Sequence, residues 1–200
     1  MEHRNKSFFI LVLFLTTFIG TAFSSTSGVT RGFEIVTVNS TYTQDGGVQV
    51  LAKIIVNYPV DIVYKVINDF KNYGDFMPSF GKTKVTRENN NTKVKVNHNM
   101  PILGSFPCFM VIQENKKGDA VHIEFKTTIC FFDKNEGYYS LSPINNGKET
   151  ELIFSSYLKK DSIFVPKFII KFVLKYAQKD VLGAIVKRIR EIEKNTAKKG

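Results

Sequence analysis

The stretch Phe164–Lys194 limits the fold of this chain more than any other part of its sequence. In its first half, residues four apart form three apolar rows and one row of lysines, and residues four apart share a helix face. Most of the circumference of the predicted helix is therefore apolar, whereas a surface helix has an apolar stripe of about 100° or somewhat more. From Val181 onwards the pattern is amphipathic, and it predicts four inward residues: Leu182, Ile185, Ile189 and Ile192. Either the rest of the chain nearly encloses this helix, or lipid covers part of it.

The N-terminus has the pattern of a secretory signal peptide. Arg4 and Lys6 precede the run Phe8–Ile19, which is apolar apart from two threonines, and Ala22-Phe23-Ser24 supplies small residues for cleavage. The run is shorter than the ~20 residues that a spanning helix needs. We predict an exported protein cleaved near Ser24, with an uncleaved membrane anchor as the alternative.

The charge of the chain allows two kinds of anionic partner. Its formal net charge is +10, and it would be +9 without residues 1–24, which hold two basic residues and one acidic residue. Such a charge suits contact with anionic lipid or with nucleic acid. Because export argues against nucleic acid, we predict an anionic membrane surface as the partner and no nucleic acid. A solvated, lysine-rich surface is the alternative.

The chain has two cysteines, Cys108 and Cys130. In an exported protein such a pair can close a disulfide. Two buried free thiols are the alternative, since both residues fall in apolar, strand-like stretches. Neither cysteine lies in a CxxC motif or beside a histidine, so the sequence predicts no metal or redox role.

The middle of the chain predicts one strand, two short helices and six further strands. Residues 25–44, rich in Ser, Thr and Gly, are predicted to form a loose leader or a first edge segment. Alternating apolar residues predict the first strand at Val48–Asn57, and helical spacing predicts Pro59–Asp69 and Asn72–Met77. The six later strands, paired as hairpins, are Lys82–Arg87, Thr92–His98, Pro107–Gln113, Val121–Thr128, Tyr138–Ser142 and Thr150–Leu158.

These elements predict an α+β fold in which a curved antiparallel sheet of about seven strands wraps around the long C-terminal helix. The predicted domain covers residues 45–194, and a basic tail follows at 195–200. A curved sheet with a helix laid across its mouth leaves an apolar cavity between them.

Three segments resemble the START/polyketide-cyclase/coenzyme-Q-binding superfamily, whose members share the helix-grip fold. They are Ile55–Phe70, Asn72–Pro78, with the sequence N-Y-G-D-F-M-P, and Asp161–Pro166, which leads into the last helix. With the order of elements, the resemblance spans about residues 45–194. It implies an internal pocket for a lipid or polycyclic molecule, without a metal or a fixed cofactor. It does not identify the ligand, because the superfamily includes lipid carriers, quinone-binding proteins and cyclases.

The sequence offers little for catalysis. His98 and His122 lie in different predicted strands without an accompanying motif, so each is expected to be structural rather than a base. Asp69 and Asp75 bracket the short helices, where capping is a better explanation than an acid–base pair. Ring-forming relatives need only a shaped pocket and one or two polar groups, so an enzyme is less favoured without being excluded.

A set of large apolar residues is predicted to face inward and line the pocket, with plain core packing as the alternative for each. These are Met77, Phe106, Met110, Phe125, Tyr139, Phe168 and Phe172. Three polar strand residues are predicted to orient a ligand head group: Asn97, Thr127 and Tyr157. The apolar loop Met100–Pro107 is predicted to cover the pocket entrance, or else to touch a membrane.

A membrane contact is also predicted on the long helix, at its lysine row and the apolar row beside it. The residues concerned are Lys167, Lys171, Lys175, Lys179, Ile170 and Leu174. The leading functional prediction is an exported, non-enzymatic protein that holds a lipid or quinone-like molecule. A cyclase or dehydratase acting on a polyketide is the second prediction. An interaction module similar to the ribosome-associated relatives is the third, and it requires the N-terminus not to be a signal.

Overall fold

The three-dimensional structure is a computed structural model, and it describes residues 33–88, 91–100, 104–160 and 167–197. Within the last range, side chains are described for Lys179–Asn195. The predicted signal peptide and the end of the basic tail lie outside these residues. So do the side chains of the lysine row up to Lys175 and of Ile170, Leu174, Phe168 and Phe172.

The chain forms eight strands and three helices. The strands are β1 (Phe33–Tyr42), β2 (Val48–Val56), β3 (Phe80–Glu88), β4 (Asn91–Met100), β5 (Gly104–Lys117), β6 (Ala120–Ile129), β7 (Lys134–Ile144) and β8 (Glu149–Lys159). The helices are α1 (Val60–Ile67), α2 (Tyr73–Phe76) and α3 (Lys167–Ala197), with a 3-10 turn at Phe70–Asn72. Each predicted strand and helix is confirmed, with shifted ends.

All eight strands form one antiparallel sheet in the order β1-β2-β8-β7-β6-β5-β4-β3. Strands β3 to β8 follow one another as a meander, and the segment containing α1 and α2 carries the chain from β2 to the opposite edge at β3. The turn between β7 and β8 uses the left-handed backbone region at Asn145, Asn146 and Gly147, a conformation that Asn and Gly tolerate best. The architecture is therefore the predicted helix and curved sheet, with eight strands instead of about seven.

The additional strand is β1, which lies within the segment 25–44. Phe33–Tyr42 pairs along β2 and forms one edge of the sheet, so this part of the segment is an edge strand rather than a loose leader. Its sequence, FEIVTVNSTY, mixes β-branched and polar residues, as suits an edge strand that is only partly covered.

Strand β5 begins earlier than predicted, at Gly104 rather than at Pro107. Proline lacks a backbone donor and is tolerated where a strand is bordered on one side only. Pro107 pairs with Asn97 of β4, whereas the ladder to β6 starts at Phe109. The proline therefore lies in a locally unpaired margin of the sheet and does not end the strand.

The core lies between the inner face of the sheet and the helices. Alternate residues of β2 are buried, and α3 packs on this core through Leu182, Ile185, Val186 and Ile189, all at most 1% exposed. The prediction that Ile192 lies inside is wrong, because it is 40% exposed. Residues 192–195 are all exposed, so the last turns of α3 extend beyond the packed core.

No helix among the described residues is long and apolar enough to span a bilayer.

Candidate functional site

Burial of the inner face decreases along β6 towards the end of this strand. On β6, Val121 and Ile123 are buried, whereas Phe125 and Thr127 are half-buried. On β5, Ile112 is buried and Met110 is half-buried. The half-buried inward residues of these two strands mark an open end of the inner face on β5 and β6. Neighbouring inward residues at this end, Val96 and Cys108, are buried, as are Ser156 and Leu158 on β8. This open end is the candidate site.

Three aromatic rings form the floor of the open end. Phe125, Tyr139 and Phe154 lie on adjacent strands, and their register places all three on the inner face. The ring centroids of Tyr139 and Phe154 are 4.7 Å apart, and those of Phe125 and Phe154 are 6.1 Å apart with nearly parallel planes. Aromatic contacts at such separations add stability beyond area burial and hold each ring in one orientation. The floor is therefore apolar and rigid.

The hydroxyl of Tyr139 is the polar group of this floor. The side chain is 8% exposed, no described residue hydrogen bonds to its hydroxyl, and the hydroxyl oxygen is not among the fully buried unpartnered atoms. Burial raises the pKa of Tyr139, so the phenol is neutral and can donate a proton to an acceptor. A hydroxyl that no protein group satisfies and that keeps some accessible surface can bond to water or to a ligand.

A disulfide lies at the edge of the open end, which we call the rim. Cys108 on β5 is bonded to Cys130, which follows β6, and their Cα atoms are 4.4 Å apart. Of the two alternatives that the sequence allows for these cysteines, the structure has the bridge. The next residue, Phe131, packs against Phe106 with ring centroids 4.6 Å apart. The bridge therefore anchors the segment that carries Phe131 beside the start of β5.

His98 lies on the inner face opposite Phe106, near this rim. Its ring contacts the edge of Phe80 at a centroid distance of 5.1 Å, and its buried Nδ1 has no partner among the described residues. Burial lowers the pKa of His98, which keeps the imidazole neutral at pH 7. A neutral, unpartnered ring nitrogen can accept or donate one hydrogen bond towards the interior.

The other residues considered for catalysis have structural roles. His122 lies on the outer face, 3.2 Å from a Glu124 oxygen and against the ring of Tyr138. Asp69 precedes the 3-10 turn but its side chain does not cap it; the carboxylate accepts hydrogen bonds from the Nδ2 of Asn72 at 2.8 and 3.0 Å. Asp75 is exposed on α2. In the described part of the chain, no three His, Cys, Asp or Glu side chains are grouped as metal ligands.

The structure places four of the predicted pocket residues at or near the open end: Phe106, Met110, Phe125 and Thr127. Tyr139 lies beside them and belongs to the core cluster, which was its alternative role. The hydroxyl of Thr127 already donates to the backbone oxygen of Asn135 at 3.0 Å, so it is satisfied within the protein. Met77 is 4% exposed and belongs to the core cluster, which was its alternative role.

Asn97 and Tyr157 were predicted to orient a head group, and this prediction is wrong because both point to the outer face. Successive strand residues alternate between faces, and Asn97 stands between Val96 and His98, which face inward. The hydroxyl of Tyr157 instead donates to Asp45 at 2.5 Å. Hydrogen bonds from Thr43 and Tyr157 lower the pKa of Asp45 to about 2, which marks an exterior polar contact between β8 and the β1–β2 turn.

Two residues of the site were missed from the sequence. Phe154 completes the aromatic floor, and Gly137 lies beside it, opposite Phe125. The alternation Leu152, Phe154 on β8 already indicates an inward phenylalanine. Nothing in the sequence around Gly137 shows that an aromatic ring crosses it, because that contact depends on the pairing of β6 with β7.

The fold is a helix-grip domain with an apolar inner face. The family model described as "Polyketide cyclase / dehydrase and lipid transport" matches residues 56–186. The chain therefore belongs to the polyketide cyclase / dehydrase and lipid transport family, as the resemblance predicted. No curated protein sequence matches the chain.

Solved structures share this fold at low sequence identity. Human StAR-related lipid transfer protein 5 superposes with a TM-score of 0.67 at 8% identity, covering 82% of this chain and 89% of its own. The STAR-related lipid transfer protein from Xanthomonas axonopodis gives 0.61 at 12% identity, covering 76% and 98%. The Zhui aromatase/cyclase from a Streptomyces species gives 0.62 at 13% identity, covering 72% and 94%. Two of these proteins are named as lipid transfer proteins and one as an aromatase/cyclase, so the likeness establishes the fold of this chain and does not identify its ligand.

Proposed function

We propose that this protein binds a hydrophobic small molecule, of lipid or quinone type, at the open end of the inner face. The observation that carries the proposal is the exposed apolar surface of Phe106, Met110 and Phe125 inside the curl of the sheet, beside the aromatic floor. An apolar ligand would cover this surface, and burial contributes roughly 25 cal/mol per Å2 without specific polar contacts.

The Tyr139 hydroxyl adds a polar contact to this apolar site. It is neutral, its side chain is largely buried, and it has no hydrogen-bond partner among the described residues. A carbonyl or hydroxyl oxygen of the ligand would accept its proton. Sites for small molecules commonly combine an apolar lining with a few polar groups that fix orientation. This combination suits a quinone or an oxygen-bearing lipid better than a plain hydrocarbon.

We further propose that the protein is exported and carries its ligand near a membrane. The Cys108–Cys130 disulfide supports export, because disulfides persist in oxidising compartments and are rare in the reducing cytosol. It agrees with the signal pattern of residues 1–24. Cell fractionation and N-terminal sequencing of the mature protein test this part, and a cytosolic protein that starts at Met1 contradicts it.

Ligand binding is tested by native mass spectrometry of the gently purified protein, followed by extraction and identification of the bound molecule. Met110→Trp fills the open end, so the native mass spectrum of this variant should show no bound ligand. Val111→Trp is the matched control, because the neighbouring residue points to the outer face and should leave binding intact. A wild-type protein that stays ligand-free after incubation with a total lipid extract contradicts the proposal.

A cyclase or dehydratase is the second candidate, and His98 is the observation that favours it. Its neutral imidazole faces inward with Nδ1 unpartnered, so it can act as a general base towards a bound polyketide. Incubation with a linear poly-β-ketone thioester should then give a cyclised or dehydrated product, and His98→Ala should abolish it. Failure of the wild-type protein to alter such a compound eliminates this candidate without affecting ligand binding.

A further inference from the structure

The outer face of the sheet carries a concentration of positive charge on its β3–β6 side. Five exposed lysines lie there: Lys82, Lys84, Lys93, Lys95 and Lys126. Their strand neighbours, such as Val94 and Val96, are buried on the inner face, so the alternation of the strands directs the lysines outward. We call these five lysines, together with Phe109, Val111 and Ile129, the basic face.

One row of the basic face crosses four strands. Lys84 of β3 stands opposite Lys95 of β4, Lys95 opposite Phe109 of β5, and Phe109 opposite Ile129 of β6. Like charges directly opposite each other destabilise a sheet, so the Lys84–Lys95 pair does not stabilise the fold. At the other end of the row, Ile129 is 61% exposed, an unusual position for a large apolar side chain. This row therefore has features that folding does not explain.

The next row contributes Lys93, Val111 and Lys126 in register. Lys93 is paired with Glu88 at 2.5 Å, and Lys95 lies 5.2 Å above the ring of Phe109. Two further acidic residues border this region: Glu124 is next to His122, and Glu136 of β7 stands opposite Lys126 but is paired with Lys134. Within the described residues, Lys82, Lys84 and Lys126 have no ion-pair partner. The face keeps a net positive charge around an apolar centre.

We propose that the basic face docks onto an anionic phospholipid surface. The lysines would contact the head groups, while Ile129 and its apolar neighbours would enter the interface. Charge complementarity supports this partner, since lysines near an anionic leaflet are attracted to it and apolar side chains beside them add area-dependent binding. A nucleic acid fits less well. Single strands stack on open aromatic faces, whereas one face of the Phe109 ring is covered by Lys95 and Ile129 is aliphatic.

Docking in this way has a consequence for the candidate site. Ile129 is followed by Cys130 and Phe131, which form the rim at the open end. A membrane contacted through Ile129 would lie next to this rim, so a ligand would travel a short path between lipid and protein. The docking proposal itself rests on the outer face and holds whether or not the inner face binds a ligand.

The test is sedimentation of the purified protein with vesicles of phosphatidylcholine alone or mixed with phosphatidylglycerol. The wild-type protein should sediment with the mixed vesicles only, and high salt should release it. The double variant Lys84→Glu/Lys95→Glu should lower partitioning by tenfold or more, because each lysine near the surface contributes about a fivefold factor. The double variant Lys148→Glu/Lys187→Glu is the control. It makes the same charge change at exposed positions outside the basic face, in the β7–β8 turn and on α3, and should retain binding.

Ile129→Ser provides an independent variant, because its exposed side chain can be removed without risk to folding. It should weaken vesicle binding while all charges remain. The proposal is overturned if the wild-type protein does not sediment with anionic vesicles, or if the two double variants lose binding equally. Binding to single-stranded RNA in the absence of vesicle binding would also overturn it. Unchanged partitioning of Ile129→Ser would contradict the apolar part of the contact.

Discussion

Gly137 of β7 lies directly opposite Phe125 of β6, and a Cβ atom at position 137 would come within 2.6 Å of the Cζ of that ring. The same Cβ would collide with the backbone oxygen of Ser155 on β8. Glycine is therefore what allows the Phe125 ring to lie across β7, where it contributes to the aromatic floor. The site depends on a residue that has no side chain.

Gly137→Ala should lower the free energy of unfolding by about 1–3 kcal/mol, because both a packed ring and a backbone carbonyl must move. Urea denaturation measures this change. Gly183→Ala on α3 is the matched control, since a Cβ there meets nothing within 4 Å. In a helix that substitution should stabilise, by up to about 1 kcal/mol. Equal effects of the two substitutions would contradict the close approach at Gly137.

Reduction of the disulfide should destabilise the protein. The bridge joins residues that are 22 positions apart in the sequence. A loop of this length corresponds to about 3 kcal/mol in the chain-entropy account of disulfides. Urea denaturation with and without dithiothreitol measures the loss. The Cys108→Ser/Cys130→Ser variant should match the reduced protein and show no response to dithiothreitol. A wild-type protein that dithiothreitol leaves equally stable would mean that the bridge is absent in solution.

Stability should fall as the pH drops below 6.5. Burial lowers the pKa of His98 from 6.5, so the unfolded state takes up a proton that the folded state resists. The folded state is therefore fully stable with respect to this group above pH 6.5, and it loses stability as the pH falls towards the lowered pKa. The carboxyl group of Asp45, whose pKa is about 2, affects the stability of the folded state only at lower pH.

Thermal unfolding between pH 7.5 and 5 checks the His98 effect. His98→Gln should flatten the dependence, whereas His122→Gln should retain it because His98 is intact in that variant. If the thermal stability of His98→Gln depends on pH as strongly as that of the wild type, another group causes the effect.

The sequence predicts most of this fold because its periodicity is unambiguous. Alternation in β2 and helical spacing in α3 identify the inward residues Ile54, Leu182 and Ile185 directly. The same alternation predicts that Asn97 faces outward, because its neighbours Val96 and His98 face inward. The prediction for Asn97 and Tyr157 follows their polarity alone, whereas the alternation of each strand places both side chains on the outer face.

Other features depend on tertiary geometry that sequence patterns do not contain. The bridge between Cys108 and Cys130 requires a Cα separation that only the β5–β6 pairing sets. The ring of Phe125 passes over Gly137 because of the β6–β7 register. Ile192 continues the helical periodicity of α3, yet it is exposed because the helix extends past the residues that could cover it.

The last prediction concerns the Tyr139 hydroxyl. Because no described residue hydrogen bonds to it, Tyr139→Phe removes a hydroxyl without a protein partner and keeps the aromatic packing. The ligand-free variant should therefore be as stable as the wild type, or more stable by about 1 kcal/mol. Tyr73→Phe is the matched control, because the hydroxyl of Tyr73 donates to the backbone oxygen of Ile67. Its loss should lower the free energy of unfolding by about 1 kcal/mol.

The two variants together separate a binding role of Tyr139 from a structural one. Urea denaturation of the delipidated proteins gives the stabilities, and native mass spectrometry gives the retained ligand. A hydroxyl that serves the ligand predicts weaker retention in Tyr139→Phe without a loss of stability, whereas Tyr73→Phe loses stability at unchanged retention. If Tyr139→Phe is destabilised as much as Tyr73→Phe, the hydroxyl bonds to protein instead. The polar contact of the proposed site would then have to come from His98, whose buried Nδ1 is unpartnered on the same face.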